Sequence, residues 1–356
     1  MAIRSESWRG SRLVPALGRL KPYVAGKGFG EISRKYGIPP SQIVKLGSNE
    51  NPYGPSPRVA EALASISPER YPEPEALLAG LSAYTGFPEE MIAIGAGMDG
   101  VMDTLTRIFL DRGDRTFIPT PTFSYYEILT ILAGAEPLLS PRGVDFEPPA
   151  AIPSGTKMAF LCSPNNPTGD AMSEKEVRTL LEDTDAIVFL DEAYVEFADS
   201  SLAGLVREYD NLIVGRTLSK AFGLAGMRLG YALAPQWIAD QYRRAAPPFF
   251  AISAASAAAG AAALSDLPFM RRSVEKIVSE RERLQSLIGS RPSQANFLYL
   301  ETEQDSAAFA ERFLERGIII RDCRSFRGSG EHHVRVTVGT PDENERFLSA
   351  LRDICA

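Results

Sequence analysis

The sequence predicts an α/β fold, with a large domain built on a mostly parallel sheet covered by helices and a smaller α/β domain after it. Short apolar runs that end in Gly, Pro, Ser or Thr loops alternate with helical patterns through the middle of the chain. After about residue 250 the texture changes to an Ala-rich stretch, a charged amphipathic helix, and then shorter strands mixed with helices. At 356 residues the chain is long enough for one large core and a second, smaller one.

Six apolar runs are expected as strands of the large sheet: Met91 to Gly95, Arg115 to Pro119, Lys157 to Cys162, Ala186 to Leu190, Leu212 to Gly215 and Leu229 to Leu233. Between them, Asp99 to Leu110 carries Val101, Met102, Leu105, Ile108 and Phe109 at helical spacing, and begins in a Gly-rich turn. Ile252 to Leu264 is expected as a packed Ala-rich helix, followed by a charged helix from about Pro268 to Ile288. Strands at Phe297 to Leu300, Ile318 to Arg321 and Val334 to Val338, with helices near Ser306 to Arg316 and Asp342 to Ile354, make up the second domain. The expected division is a large domain at 46–250, with the N-terminal arm 1–45 and residues 251–356 forming the small one. No repeat of fixed period occurs, and no Pro/Gly/Ser linker marks an independent module.

Composition excludes several classes of function. A net charge of -7, with charged residues scattered rather than in blocks, gives no footprint for nucleic acid. Cys162, Cys323 and Cys355 are an odd number with no CxxC spacing, so reduced thiols and a cytoplasmic setting are expected. The first twenty residues hold no apolar run suited to a signal peptide, and no later segment approaches a membrane span. His332 and His333 are the only histidines, which argues against a histidine metal site or a Ser-His-Asp triad.

In open α/β sheets, ligands bind outside the carboxyl ends of strands, and four such ends carry polar residues suited to one ligand. After Met91 to Gly95 comes Ala96-Gly97-Met98-Asp99-Gly100, where free N–H groups and a helix dipole suit an anion such as phosphate. After Lys157 to Cys162 comes Ser163-Pro164-Asn165-Asn166-Pro167-Thr168-Gly169, a stiff loop with free Asn donors. Asp191-Glu192-Ala193-Tyr194 puts a carboxylate at the tip of an apolar strand. Arg216-Thr217-Leu218-Ser219-Lys220 is followed by Ala221 to Arg228, so a lysine lies among small and apolar residues that would lower its pKa and raise its nucleophilicity. Taken singly, these are a plain turn, an Asx-rich turn, a helix cap and a surface lysine. Together they describe a pyridoxal 5'-phosphate (PLP) site: a lysine for a Schiff base, an acid for the pyridine nitrogen, donors for the ring hydroxyl and an anion cradle. Asp191 would keep that nitrogen protonated, because an opposite charge in a poorly solvated site favours the charged form.

The same residues resemble the PLP-dependent aminotransferases of the type I fold, particularly the histidinol-phosphate aminotransferases. The resemblance is carried by Leu46 to Ser56, Arg70-Tyr71-Pro72, Ser163 to Gly169, Asp191 to Tyr194, Arg216 to Lys220 and Arg335-Val336-Thr337-Val338-Gly339-Thr340, and it runs from about Leu20 to the C-terminus. It implies that Lys220 holds the cofactor and shuttles a proton, that Asp191 pairs with the ring nitrogen, and that Asn166 and Tyr194 hydrogen-bond the ring hydroxyl. Thr217, Ser219, Arg228 and the backbone of Gly97, Met98 and Asp99 would hold the cofactor phosphate, and Phe123 would stack on the ring. Arg335 would take a substrate carboxylate in a bidentate pair. Two departures stand out. Phe123 occupies a position where the family often has tyrosine, and Met98-Asp99-Gly100 replaces a small residue followed by Asp-Glu.

For the substrate, the resemblance implies that Tyr23, Asn49, Tyr53, Asn166, Arg321 and Arg335 bind it, with Tyr23 reaching in from the other subunit of a homodimer. Two arginines and two tyrosines suit a phosphate monoester. The plainer reading makes Arg321 an exposed strand-end residue and Tyr23 a packing residue at a dimer seam. The expected reaction is ping-pong transamination of L-histidinol phosphate with 2-oxoglutarate in histidine biosynthesis, between a small-molecule amino donor and a 2-oxo acid. An aromatic amino-acid aminotransferase and a PLP lyase such as a threonine-phosphate decarboxylase are the rivals. A PLP-binding regulator is disfavoured, since no basic DNA-binding module is fused to the chain.

Overall fold

The computed structural model describes residues 10, 12–21, 23–24, 26–248 and 252–355. The boundary expected at 250–251 lies outside the described residues. Strand β1 (Val44–Lys45) belongs to a separate two-stranded pair considered below. The large sheet contains β2 (Ile92–Ala96), β3 (Arg115–Thr120), β4 (Glu136–Pro141), β5 (Met158–Cys162), β6 (Ile187–Asp191), β7 (Leu212–Thr217) and β8 (Leu229–Leu233) in the order β2-β8-β7-β6-β5-β3-β4. Pairings among β3 to β7 are parallel, and β8 runs antiparallel to both β2 and β7. The carboxyl ends of β2, β3, β5, β6 and β7 therefore open on one side of the sheet.

Side-chain alternation explains why both faces are covered. Ile118, Phe160, Phe189 and Ile213 pack on one face under Val101, Met102, Leu105, Tyr126, Leu129 and Ile238, which come from the helices Gly97–Phe109, Tyr125–Leu132 and Gln236–Ala245. Phe117, Leu161, Val188, Leu190 and Val214 face the other way, into a core shared with Val177, Leu180, Ala257 and Leu264. The six strands expected from sequence are present, with ends moved by a residue or two. Strand β4 was not expected. It is half-buried, carries prolines at Pro137 and Pro141, and occupies the sheet edge, where proline costs no ladder bond on the free side.

The second sheet is antiparallel, with β9 (Phe297–Glu301), β11 (Arg321–Asp322) and β12 (His333–Thr337) in the order β11-β12-β9. The single strand expected over Ile318 to Arg321 is two strands. Ile318–Ile319 (β10) pairs in parallel with β1, and Arg321–Asp322 pairs with β12, because the chain passes from one sheet to the other at Ile320. That change of partner sets Arg321 directly opposite Arg335. The Ala-rich segment forms the helix Ala254–Leu264, where Gly260 lets Leu77 and Leu229 approach, and Leu267–Ile288 is one long helix. Among the described residues, no helix is long and apolar enough to cross a membrane, and no cluster of three His, Cys, Asp or Glu could hold a metal ion.

Candidate active site

A cavity of about 240 Å³ opens at the carboxyl ends of the large sheet, roofed by the small sheet and by Tyr23, Gly26 and Gly47 to Asn49. Asp191 is the last residue of β6 and only 4% exposed. The backbone N–H of Ala193 donates to its Oδ1 at 2.9 Å, and the Tyr126 hydroxyl donates to Oδ2 at 2.6 Å. No arginine or lysine forms an ion pair with it among the described residues, and burial pushes its pKa up to about 6. Just beyond, Tyr194 is buried, with its hydroxyl accepting from Asn49 Nδ2 at 2.9 Å. Asn49 itself has φ 54°, a left-handed conformation that Asn tolerates. It is tied to Thr337 and Asn296 of the small-sheet side.

Strand β7 delivers Thr217, then Ser219 and Lys220. The Thr217 hydroxyl accepts from the Ser219 N–H at 3.1 Å and donates to the Leu229 carbonyl at 2.9 Å. Lys220 is half-buried, with Nζ 3.3 Å from the Ser48 carbonyl and 5.7 Å from the centre of the Tyr194 ring. Burial, and next the nearby Arg335 charge, push its pKa down to about 8. The helix Gly97–Phe109 points its amino end into the same space, so Met98 and Asp99 line the cavity beside Arg228. Gly97 has φ +74°, and a Cβ there would lie 2.6 Å from Arg228 Nη2. A Cβ at Gly230 would lie 2.3 Å from the Met98 nitrogen. Glycine is required at both positions for the strand, the helix end and the guanidinium to meet. Arg228 Nη2 is 3.0 Å from Asp99 Oδ2, on the solvent side.

Phe123 forms an apolar wall, perpendicular to Tyr126 at 5.5 Å and to Tyr23 at 6.1 Å. On the opposite side Arg335 and Arg321 are 6% and 8% exposed, yet neither forms an ion pair among the described residues. Arg335 donates to the Asn166 side-chain oxygen and, at 2.9 Å, to the Gly47 carbonyl, while its Nε is buried without a partner. Arg321 donates to the Val24 carbonyl at 2.6 Å and to the Ser325 hydroxyl at 3.0 Å. Its pKa is lowered by burial and then by Arg335. Like charges on directly opposed residues of adjacent strands repel, so this arrangement awaits an anion.

The structure thus brings Tyr23, Asn49, Met98, Asp99, Phe123, Asn166, Asp191, Tyr194, Thr217, Ser219, Lys220, Arg228, Arg321 and Arg335 to one cavity, with Gly97 immediately behind. Tyr53 is not among them. It lines a separate crevice with Glu275, Lys276 and Glu280, with Lys276 Nζ 5.0 Å from its ring centre. Tyr23 lines the cavity of its own chain, where nearby Arg19 pairs with Glu136 and the Val24 carbonyl accepts from Arg321. Sequence reasoning missed Tyr126, Cys162 and Phe326. Cys162 ends β5 beside Asp191, so its strand position was the signal. Tyr126 follows Phe123 by three residues at a helix start, and no local pattern marks its partner across the sheet.

Residues 41–351 match the family described as aminotransferase class I and II. The histidinol-phosphate aminotransferase of Methanosarcina mazei is 48% identical over 345 residues, covering 93% of this chain and 94% of that protein. Histidinol-phosphate aminotransferase 1 of Archaeoglobus fulgidus is 46% identical over 323 residues, covering 88% of this chain and 99% of that one. Among solved structures, the histidinol-phosphate aminotransferase of Sinorhizobium meliloti in complex with pyridoxal 5'-phosphate superposes with a TM-score of 0.82 at 26% identity, covering 97% of both chains. On fold, cavity and sequence alike, this chain belongs to the class I and II aminotransferases.

Proposed function

We propose that this protein is a PLP-dependent aminotransferase that moves an amino group between L-histidinol phosphate and 2-oxoglutarate. The observation that carries the reading is the pairing of two buried, acid-free arginines, Arg321 and Arg335, with a buried acid that lacks a cation, Asp191, across one cavity. Such uncompensated charges are costly unless a ligand of matching charge arrives. The residues present fit PLP: Lys220 for its aldehyde, Asp191 for its ring nitrogen, Tyr194 and Asn166 for its ring hydroxyl, and Phe123 for its face. Thr217, Ser219, Arg228 and the amino end at Gly97, Met98 and Asp99 suit its phosphate. When bound, the cofactor supplies an electron sink that stabilises a carbanion at the substrate's amino-bearing carbon.

The chain's own residues do the rest. A lysine amine whose pKa is near 8 is partly neutral near pH 7, so Lys220 Nζ can accept a proton and return it. Tyr194, fixed by Asn49, keeps its ring beside the lysine. Arg335 takes an anionic group of each substrate in turn, and Arg321 adds the extra donors that a phosphate needs over a carboxylate. Tyr23 and Phe123 exclude water on the mouth side.

The same reading takes residues 46–250 as the large unit and 1–45 with 251–356 as the small one, working as a homodimer in the cytoplasm. Exposed Leu13, Val14, Leu17, Val24 and Phe29 support a second copy covering the arm, and three free cysteines support a reducing compartment. Specificity constants for histidinol phosphate, histidinol, phenylalanine and phosphothreonine test the substrate. Histidinol phosphate is expected to lead, a preference for phenylalanine would remove the phosphate reading, and carbon dioxide release from phosphothreonine would support a lyase.

A further inference from the structure

We propose that Tyr126 is a positioning residue: its hydroxyl holds the Asp191 carboxylate charged and aimed into the cavity, and so decides whether the shared proton lies on the ring nitrogen of the cofactor or on the acid. The inference rests on the reading of this cavity as a PLP site. Asp191 is approached from behind on both oxygens, by the Ala193 N–H at 2.9 Å and by Tyr126 at 2.6 Å. Each oxygen keeps a lone pair for the cavity. Tyr126 is 0% exposed, and its ring is fixed from two sides, stacked on Phe160 of β5 at 5.0 Å and 6° and perpendicular to Phe123 at 5.5 Å. The hydroxyl is therefore held in one direction by packing.

The titratable groups facing Asp191 are Tyr126, Cys162, Tyr194, Lys220 and Asp99. Burial raises the Asp191 pKa, and the Tyr126 hydrogen bond is the largest influence opposing that rise, ahead of the Ala193 N–H, while Asp99 adds to the rise and Lys220 opposes it. Removing the hydroxyl leaves a buried acid with one donor, and the proton moves toward the acid. Because the acid and the ring nitrogen form one coupled pair, the change appears on the ring as loss of its proton.

Tyr126→Phe keeps the packing and deletes only the donor. With PLP labelled at the ring nitrogen, the nitrogen magnetic resonance signal of the bound cofactor is expected in the protonated position for the unaltered protein and shifted toward the neutral position in the variant. PLP affinity of the cofactor-free variant should fall about tenfold or more, most strongly below neutral pH. Affinity for the analogue with C–H in place of the ring nitrogen should not change. A purely structural role would weaken both ligands equally and at every pH. If the variant fails to fold, replacing Tyr126 by 3-fluorotyrosine, a stronger donor, should move the signal the opposite way. Equal signals and equal selectivity for PLP over the analogue in unaltered and variant protein would overturn the role of Tyr126. Should the unaltered protein itself not distinguish PLP from the analogue, the cofactor reading of Asp191 fails first.

Discussion

Two of the regions that bury arginine, around Arg216 and around Arg321 with Arg335, handle the charge differently. Behind the tip of β7, Arg216 meets Glu192 with side-chain exposures of 9% and 2%, and its Nε and Nη2 lie 2.9 and 2.8 Å from the same carboxylate oxygen. Ser201 and the Leu202 N–H complete that carboxylate. Across the sheet tip, Arg335 and Arg321 are equally buried and face one another with only neutral oxygens for company. The paired region is complete within the chain and locks the ends of β6 and β7 together. The unpaired region has no acid of its own among the described residues, and the proposed function gives it an anionic substrate. A buried charge without its counter-charge marks function here only where it lines the cavity, since Arg281 is as deeply buried and its Nη1 donates to the Phe197 and Ala295 carbonyls away from it.

Changes on the two sides should separate function from stability, beginning with the cavity. Lys220→Ala should lower the transamination rate by about 10²- to 10⁴-fold or more while leaving the melting temperature of the cofactor-free protein at neutral pH the same or higher, and borohydride should no longer trap cofactor on the chain. Trapping on a different lysine in the unaltered protein would remove Lys220 from its role. The contrast comes from Glu192→Ala, which strands Arg216 in the interior and should cost about 3–5 kcal/mol in urea unfolding. A loss below about 1 kcal/mol would mean that the Arg216 pair adds no more than a surface contact.

Arg335→Met removes a charge that has no partner, so the cofactor-free protein should melt at the same or a higher temperature, while kcat/KM for both amino donors falls by roughly 10- to 150-fold. A destabilised variant would mean that the guanidinium's contacts to Asn166 and Gly47 matter more to the fold than its charge costs. Arg321→Ala should penalise histidinol phosphate more than glutamate, by about tenfold in relative kcat/KM. An equal loss for the two substrates would place Arg321 outside phosphate recognition.

The smallest expected effect is in pH. The folded pKa of Lys220, about 8, lies below its ordinary value of 10.5. Between those values the unfolded chain binds the proton that the folded chain has released, so stability rises with pH across that window. Cofactor-free protein should gain stability from pH 8 to 10.5, and Lys220→Met should lose that gain. Capture of PLP by the cofactor-free protein should also quicken about fivefold from pH 7 to 8, as the neutral amine fraction grows. A full tenfold rise over that interval, the change expected for an amine at its ordinary 10.5, would show that the amine is not depressed.

Six strands of the large sheet were legible because they are largely buried and read as continuous apolar runs, whereas the half-buried edge strand β4 was not. Its chemistry was legible because each polar group stands at or just beyond the end of such a run: Asp191 ending β6, Lys220 after β7, Asp99 after β2. Those relations span a few residues, and local sequence can express them. The partnerships that give the groups their properties span much longer stretches. Tyr126 reaches Asp191 across 65 positions, and Asn49 reaches Tyr194 across 145. Arg321 faces Arg335 only because the chain changes sheets at Ile320, and Tyr53 turns from the cavity toward Lys276. The sequence by itself determined the α/β architecture, the strand tips and the residue types for binding an anionic, lysine-linked cofactor. Tertiary structure alone decided which charges remain unpaired, since desolvation and pairing depend on distances between residues that no periodicity connects.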